Sequence, residues 1–149
     1  LYSALKKFGF AEGEYAPAKV TNADHSGDGF RLVGCRITNG VRCLPPQNKP
    51  EPIEIKQCNG FLKSEISAMA QLKSILTLGQ VAHKAVLMAF GLKQSAHAFG
   101  HGNVHALQRD GHKVRLYNSY HCSRYNINTG ALTQAMFDDI IGRVRTELE

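Results

Sequence analysis

Seven consecutive residues, Tyr120-His121-Cys122-Ser123-Arg124-Tyr125-Asn126, bring together an imidazole, a hydroxyl, a guanidinium, aromatic rings and an amide. Asn128, Thr129 and Gly130 follow after Ile127. Such a set can hydrogen-bond a planar ligand, donate to a developing anion and grip a phosphate. The extended run Lys113 to Asn118 precedes it and a helical pattern from Thr133 follows, so the stretch is expected to be a loop leaving a strand. Loops on a rigid scaffold are where chemistry concentrates, although the same composition also describes a polar turn. Cys122 beside His121 suggests a thiol nucleophile only superficially, because adjacent side chains diverge and no orienting partner is evident. His97, His101 and His105 recur every four residues, a zinc-compatible spacing on a helix. Gly100 and Gly102 interrupt that helix, which favours histidines in a basic loop.

The elements that must carry these groups follow from periodicity. Tyr2 to Phe8 has a helical pattern closed by Gly9, and residues 11–29 are expected to be a loop. Phe30 to Cys43 is rich in strand formers, which predicts a buried strand ending near Thr38 with Asn39 at its exit. Leu44 to Pro50 must be extended, because proline removes donors and restricts its neighbour. A helix is predicted after Pro52, with Cys58, Leu62, Ile66, Met69 and Leu72 on its apolar face. Ser74 to Leu78 is a short strand closed by Gly79. A second helix then turns Ala82, Ala85, Val86, Ala89 and Phe90 inward and is capped by Gly91. Gly79 at a strand–helix junction could present amides to a phosphate, but close packing explains a lone glycine better. Asp110-Gly111 predicts a hairpin between 103–109 and 113–120. Thr133 is the expected N-cap of the last helix, with Leu132 and Phe137 as a staple. Its expected buried stripe is Leu132, Met136, Ile140, Val144 and Leu148. Alternating strands and helices of these lengths imply a three-layer α/β/α sandwich around a mostly parallel central sheet. Ligands bind beyond the C-terminal strand ends in such folds, and Asn39, Gly79 and His121 are all expected there.

At 149 residues the chain has the size of one domain able to bury a core without disulfides. No run approaches the ~18 apolar residues of a membrane span. Its four cysteines are too few and too irregular for a secreted disulfide framework. A reduced cytoplasmic setting is expected. The net charge of +6 is unevenly spread: no acid occurs between Gly29 and Pro50, whereas Arg31, Arg36, Arg42 and Lys49 do. From Leu92 to Ile127, five histidines accompany Lys93, Arg109, Lys113, Arg115 and Arg124 against Asp110 alone. A one-sided basic field points to a polyanionic partner, nucleic acid ahead of membrane.

Several stretches, taken in order, resemble the type B (family 5) uracil-DNA glycosylases, an iron–sulfur branch of the uracil-DNA glycosylase superfamily. They are Val41 to Pro50, Cys58 in the next helix, Thr77-Leu78-Gly79, Phe90 to His97, and Ser119 to Asn126 followed by Thr129 to Thr133. The last is the most specific. The resemblance implies a DNA base-excision repair enzyme that everts uracil, with other deaminated bases as further candidates, and hydrolyses its N-glycosidic bond; the polar surface gives no hint of a dimer seam, so a monomer is expected. It assigns Asn39 to the pairing edge of the everted base and His121 to uracil O2, where a neutral imidazole can donate as charge develops. Arg124, Tyr125 and Asn126 match the loop that enters the duplex, and Ser119 and Ser123 match phosphate contacts. Cys43 and Cys58 match two of the four ligands of a [4Fe–4S] cluster, the usual number of thiolates for such a group. The family's other two cysteines, its water-positioning motif and its aromatic platform are not matched by any residue here. The expectation is therefore one glycosylase-like domain over residues 1–149 lacking the family's N-terminal portion, with a non-catalytic module that binds damaged or single-stranded DNA as the alternative.

Overall fold

The computed structural model describes residues 1–15, 29–42 and 51–149. The Pro-rich segment, including Cys43 and Lys49, lies outside the described residues. The chain opens with helix α1 (Tyr2–Lys7), released by Gly9 at φ 75°. Strand β1 (Ala11–Glu12) then pairs antiparallel with β2 (Arg31–Leu32) as a small separate ribbon. Helix α2 (Pro52–Ala68) starts on a proline, and the Glu54 carboxylate reaches back to accept the Glu51 N–H at 2.7 Å. This capping satisfies a donor that the helix leaves orphaned.

The central sheet has the order β3-β5-β4. Strand β3 (Ser74–Leu78) runs parallel to β5 (His112–Ser119), in register from Ser74↔Arg115 to Leu78↔Ser119. Strand β4 (Val104–Arg109) joins β5 through the Asp110-Gly111 turn, with φ 49° and 80°. Two positive φ values mark the turn whose twist matches a hairpin. The sheet is thus mixed, with one parallel and one antiparallel pair, rather than mostly parallel. The α/β class stands.

Side-chain alternation divides the sheet into two faces. Leu107, Val114 and Leu116 face Leu62 and Ile66 of α2 and Ala85, Val86 and Leu87 of helix α3 (Gln80–Ala89). Tyr117, Leu76 and Leu78 face the other way, toward Leu5 of α1 and Phe137, Ile140, Ile141 and Val144 of helix α5 (Gln134–Leu148). The layers are α/β/α. Helix α3 ends in a Schellman motif: Leu92 N–H donates to Leu87 C=O at 2.9 Å and Gly91 N–H to Met88 C=O at 3.0 Å. Helix α5 begins at Thr133, whose hydroxyl accepts from Met136 N–H, and Leu132 and Phe137 share one core. Arg109, at the end of β4, donates to the carbonyls of Ile66 and Met69 at the tail of α2. A cation there also opposes the helix dipole.

The predicted strand over 30–38 does not form. Only Arg31–Leu32 is strand, and residues 36–39 are exposed in an irregular segment after Gly34 at φ 62°. β-branched residues favour a strand only where a neighbouring strand supplies the ladder, and β1 supplies two residues.

Candidate active site

The parallel pair β3–β5 carries the site at its C-terminal end. Beyond the last registered residues, Gly79 N–H donates to Ser119 C=O at 2.8 Å, so the two strand exits are held together. Gly79 then starts α3 with φ 93° and ψ 165°, a conformation nearly restricted to glycine. A methyl built at Gly79 would lie 3.2 Å from His121 Cβ. The exposed His121 ring therefore rests over a residue that has no side chain to displace it. Backbone conformation and the imidazole, more than strand–helix packing, explain this glycine.

The loop around His121 is fixed from several sides. Tyr120 N–H donates to His101 Nδ1 at 3.2 Å, and the two rings lie 5.0 Å apart. Burial, then the Arg143 charge, pulls the His101 pKa below its ordinary value, partly offset by the Met136 backbone and Asp139. This keeps Nδ1 available as an acceptor. Ser123 N-caps a short helix α4 (Arg124–Asn128), its hydroxyl accepting from Asn126 N–H. The Asn126 amide donates to His121 C=O at 2.8 Å. Helix α4 thus closes back on the residue it follows, and it stands where a plain loop was expected. Its outer side presents Tyr125 at 75 % exposure and Ile127 at 54 %, beside an exposed Arg124.

Two expected phosphate contacts change character. Ser119 is fully buried and its hydroxyl donates to Tyr120 C=O at 2.9 Å, so it braces the loop from inside. Ser123 spends its hydroxyl on the cap of α4 and is only half-buried.

Beneath the strand tips lies a polar network that sequence reasoning missed. His83 of α3 is 2 % exposed. Its Nε2 is 2.8 Å from the His97 carbonyl and its Nδ1 is 2.9 Å from Asn118 Oδ1. Thr77 Oγ1 lies 2.6 Å from the same Asn118 oxygen and 3.2 Å from the Tyr117 carbonyl. A carbonyl only accepts, so Nε2 carries a proton, and in that tautomer Nδ1 is an acceptor. A half-turn of the Asn118 amide meets this need. It gives the buried Nδ2, otherwise without a hydrogen bond, two acceptors in His83 and Thr77. The signal was present in the sequence: position 83 falls on the inward stripe of α3, where a histidine stood unexplained. His97 and His105 pack 5.4 Å apart beside it, and each uses a ring nitrogen on a backbone carbonyl, Lys93 and Ala98 respectively. Among the described residues no group of three or more histidines, cysteines or acids is arranged to hold a metal ion.

Asn39 is exposed on the irregular segment rather than at a strand tip. Its neighbour Gly40 lies against α3, where an added methyl would sit 3.0 Å from Ala85 Cβ. Gly79, under His121, begins the same helix. Cys58 is buried on α2. Cys35 Sγ donates to Phe10 C=O, and burial raises its pKa.

The basic field is partly neutralised in space by acids remote in sequence. Arg31 pairs with Glu12, Arg36 and Arg42 both pair with Glu65, and Arg115 pairs with Glu147. Lys93, Lys113 and Arg124 have no ion pair among the described residues.

Polar loops at the exits of a parallel strand pair, flanked by helices on both faces, define an α/β domain built to handle a ligand at one edge. The chain belongs to the Uracil DNA glycosylase superfamily, whose family profile matches residues 1–145. It is 41 % identical over 115 residues to the type-5 uracil-DNA glycosylase of Thermus thermophilus, covering 77 % of this chain and 51 % of that protein. It is 32 % identical over 147 residues to the type-5 enzyme of Pyrobaculum aerophilum, covering 99 % of this chain and 59 % of that protein. A type-4 uracil-DNA glycosylase of Archaeoglobus fulgidus is 31 % identical over 94 residues, 62 % of this chain and 47 % of that protein. The chain spans about half the length of the curated relatives it matches.

Proposed function

We propose that this chain forms the base-recognition part of a DNA repair glycosylase that excises uracil. The observation that carries the reading is the His121 imidazole held over Gly79 at the start of α3, with the exposed Tyr125 on the short helix that follows it. A base stacked in a duplex cannot be reached, so it must be everted at a cost of ~ a few kcal/mol. Tyr125 and Ile127, with Arg124 beside them, are suited to fill the space the base leaves, Asn126 bracing the loop behind them. The Asn39 amide can accept from uracil N3–H and donate to O4, a pattern that cytosine reverses. In hydrolysis a water oxygen bonds to the sugar C1′ as the C1′–N1 bond breaks, and the bonding pair leaves with the base. The charge then spreads onto O2 of the leaving uracil. His121 can donate there, and losing such a donor costs about 2.7–4 kcal/mol in comparable sites. We assign no water-activating residue within these 149 residues. On this reading the protein acts as a monomer on chromosomal DNA in the cytoplasm.

Cys43 and Cys58 are the residues we propose for a [4Fe–4S] cluster. Two thiolates do not complete such a site, so the remaining ligands would come from outside this stretch. The group, when bound, would serve as a brace for the segment between the two cysteines. Iron and sulfide analysis of the full-length protein, with its visible absorption spectrum, tests this assignment, and an iron-free active protein overturns it.

The reading is tested on a uracil-containing duplex followed by alkaline strand cleavage. Full-length protein is expected to cut at uracil, and His121→Ala to slow excision far more than it weakens DNA binding. Binding without cleavage would favour a non-catalytic module. Equal losses of rate and affinity would count against charge stabilisation by His121.

A further inference from the structure

Arg36 and Arg42 stand three residues before and three after Asn39. Both guanidinium groups reach one carboxylate oxygen, Glu65 Oε1, at 2.8 Å. The Thr38 hydroxyl donates to the other oxygen, Oε2, at 2.7 Å. Glu65 belongs to α2, so one side chain of the rigid body ties both feet and one shoulder of the irregular segment that presents Asn39. The carboxylate is 14 % exposed, whereas the arginines are 58 % and 48 % exposed. Arg42 is further steadied over the Phe61 ring of α2, 5.2 Å away. On the opposite side Gly40 rests on Ala82 and Ala85 of α3.

Exposed ion pairs add little to stability, so three contacts converging on one acid are poorly explained as a stabilising device. What they do is geometric. The segment has no ladder to fix it beyond Leu32, and a carboxylate that takes two guanidinium groups and a hydroxyl allows few other arrangements. We propose that Glu65 is a positioning residue for the base reader, holding the Asn39 amide at the angle at which it meets the pairing edge of a pyrimidine. This rests on the reading of Asn39 given above. The Thr38 hydrogen bond, followed by Arg42 and Arg36, lowers the Glu65 pKa, so the clamp carries its charge at neutral pH.

A double-mutant cycle on the full-length protein tests it, read as single-turnover excision from a uracil-containing duplex. Asn39→Ala alone is expected to slow excision at least 100-fold, on the order of ~3 kcal/mol at 1.4 kcal/mol per decade. Glu65→Ala alone is expected to slow it about 10-fold, with an unchanged circular dichroism spectrum and a duplex affinity close to wild type. If the acid acts through the amide, Asn39→Ala made in the Glu65→Ala background must cost clearly less than it does in wild type. Fully multiplicative losses would overturn the positioning role. An inert Asn39→Ala would instead overturn the reading of Asn39 itself, which separates the two failures. Thr38→Val with Arg36→Met removes two of the three contacts on Glu65 without touching α2. It guards against misfolding of Glu65→Ala and must reproduce the non-additivity. Multiplicative behaviour there refutes the proposal as well.

Discussion

At the scale of single residues, the site depends on what stands behind each functional group. His121 is aligned by Gly79 beneath it, by Asn126 on its carbonyl and by His101 on the preceding amide. Gly79→Ala would place a methyl 3.2 Å from the His121 Cβ and force alanine into a backbone region nearly restricted to glycine. The backbone cost is about 1–3 kcal/mol. Excision is expected to fall by more than that destabilisation accounts for, because the imidazole must move. A rate unchanged in protein shown to be folded by thermal melting would sink this account. His101 supplies a pH dependence. Its native pKa lies below the ordinary 6.5, so as pH falls under that value the unfolded chain takes up a proton that the native ring resists. Stability from this group is complete above pH 6.5 and declines as acid approaches the lower native pKa. Burial gives His105 the same sign. Melting temperatures from pH 7 to pH 5 should therefore drop more steeply for wild type than for His101→Gln, and parallel curves would refute the assignment.

At the scale of elements, the sheet is steadied just short of its tips by α3. His83→Leu keeps the volume but strands Asn118 and the His97 carbonyl, for an expected loss of about 1–3 kcal/mol in denaturant unfolding. Loss near zero would mean that the network contributes nothing net. The elements themselves were largely legible in the sequence where local chemistry dictates them. The Asp110-Gly111 hairpin, the Gly91 helix end and the Thr133 cap each rest on one or two residues whose backbone or side-chain requirements leave little choice. The segment around Asn39 was not legible, because β-branched composition does not show whether a partner strand exists. Helix α4 was hidden for another reason: five residues give no periodicity, and only the Ser123 cap announces it. On α5 the spacing found the stripe but missed Ile141, which replaces Met136 and Leu148 in the deepest layer.

For the molecule as a whole, sequence suggested a broad basic field and the fold narrows it. Glu12, Glu65 and Glu147 arrive from distant positions and neutralise four arginines between them. Among the described residues the cations left without ion pairs include Arg124, close to the exposed Tyr125. Arg124→Ala is expected to weaken duplex binding and to lower the slope of log affinity against log salt by about one. An unchanged slope would argue against phosphate contact. The order β3-β5-β4 has a further consequence. Residue 74 meets residue 115 only after the intervening helix and hairpin have been laid down, so the parallel seam is the most non-local pairing in the sheet. Both Gly79 and His121 hang from that seam. A half-made chain with its local helices and hairpin in place still lacks the proposed cradle for a base, and competence should arrive all at once with the closing of the sheet.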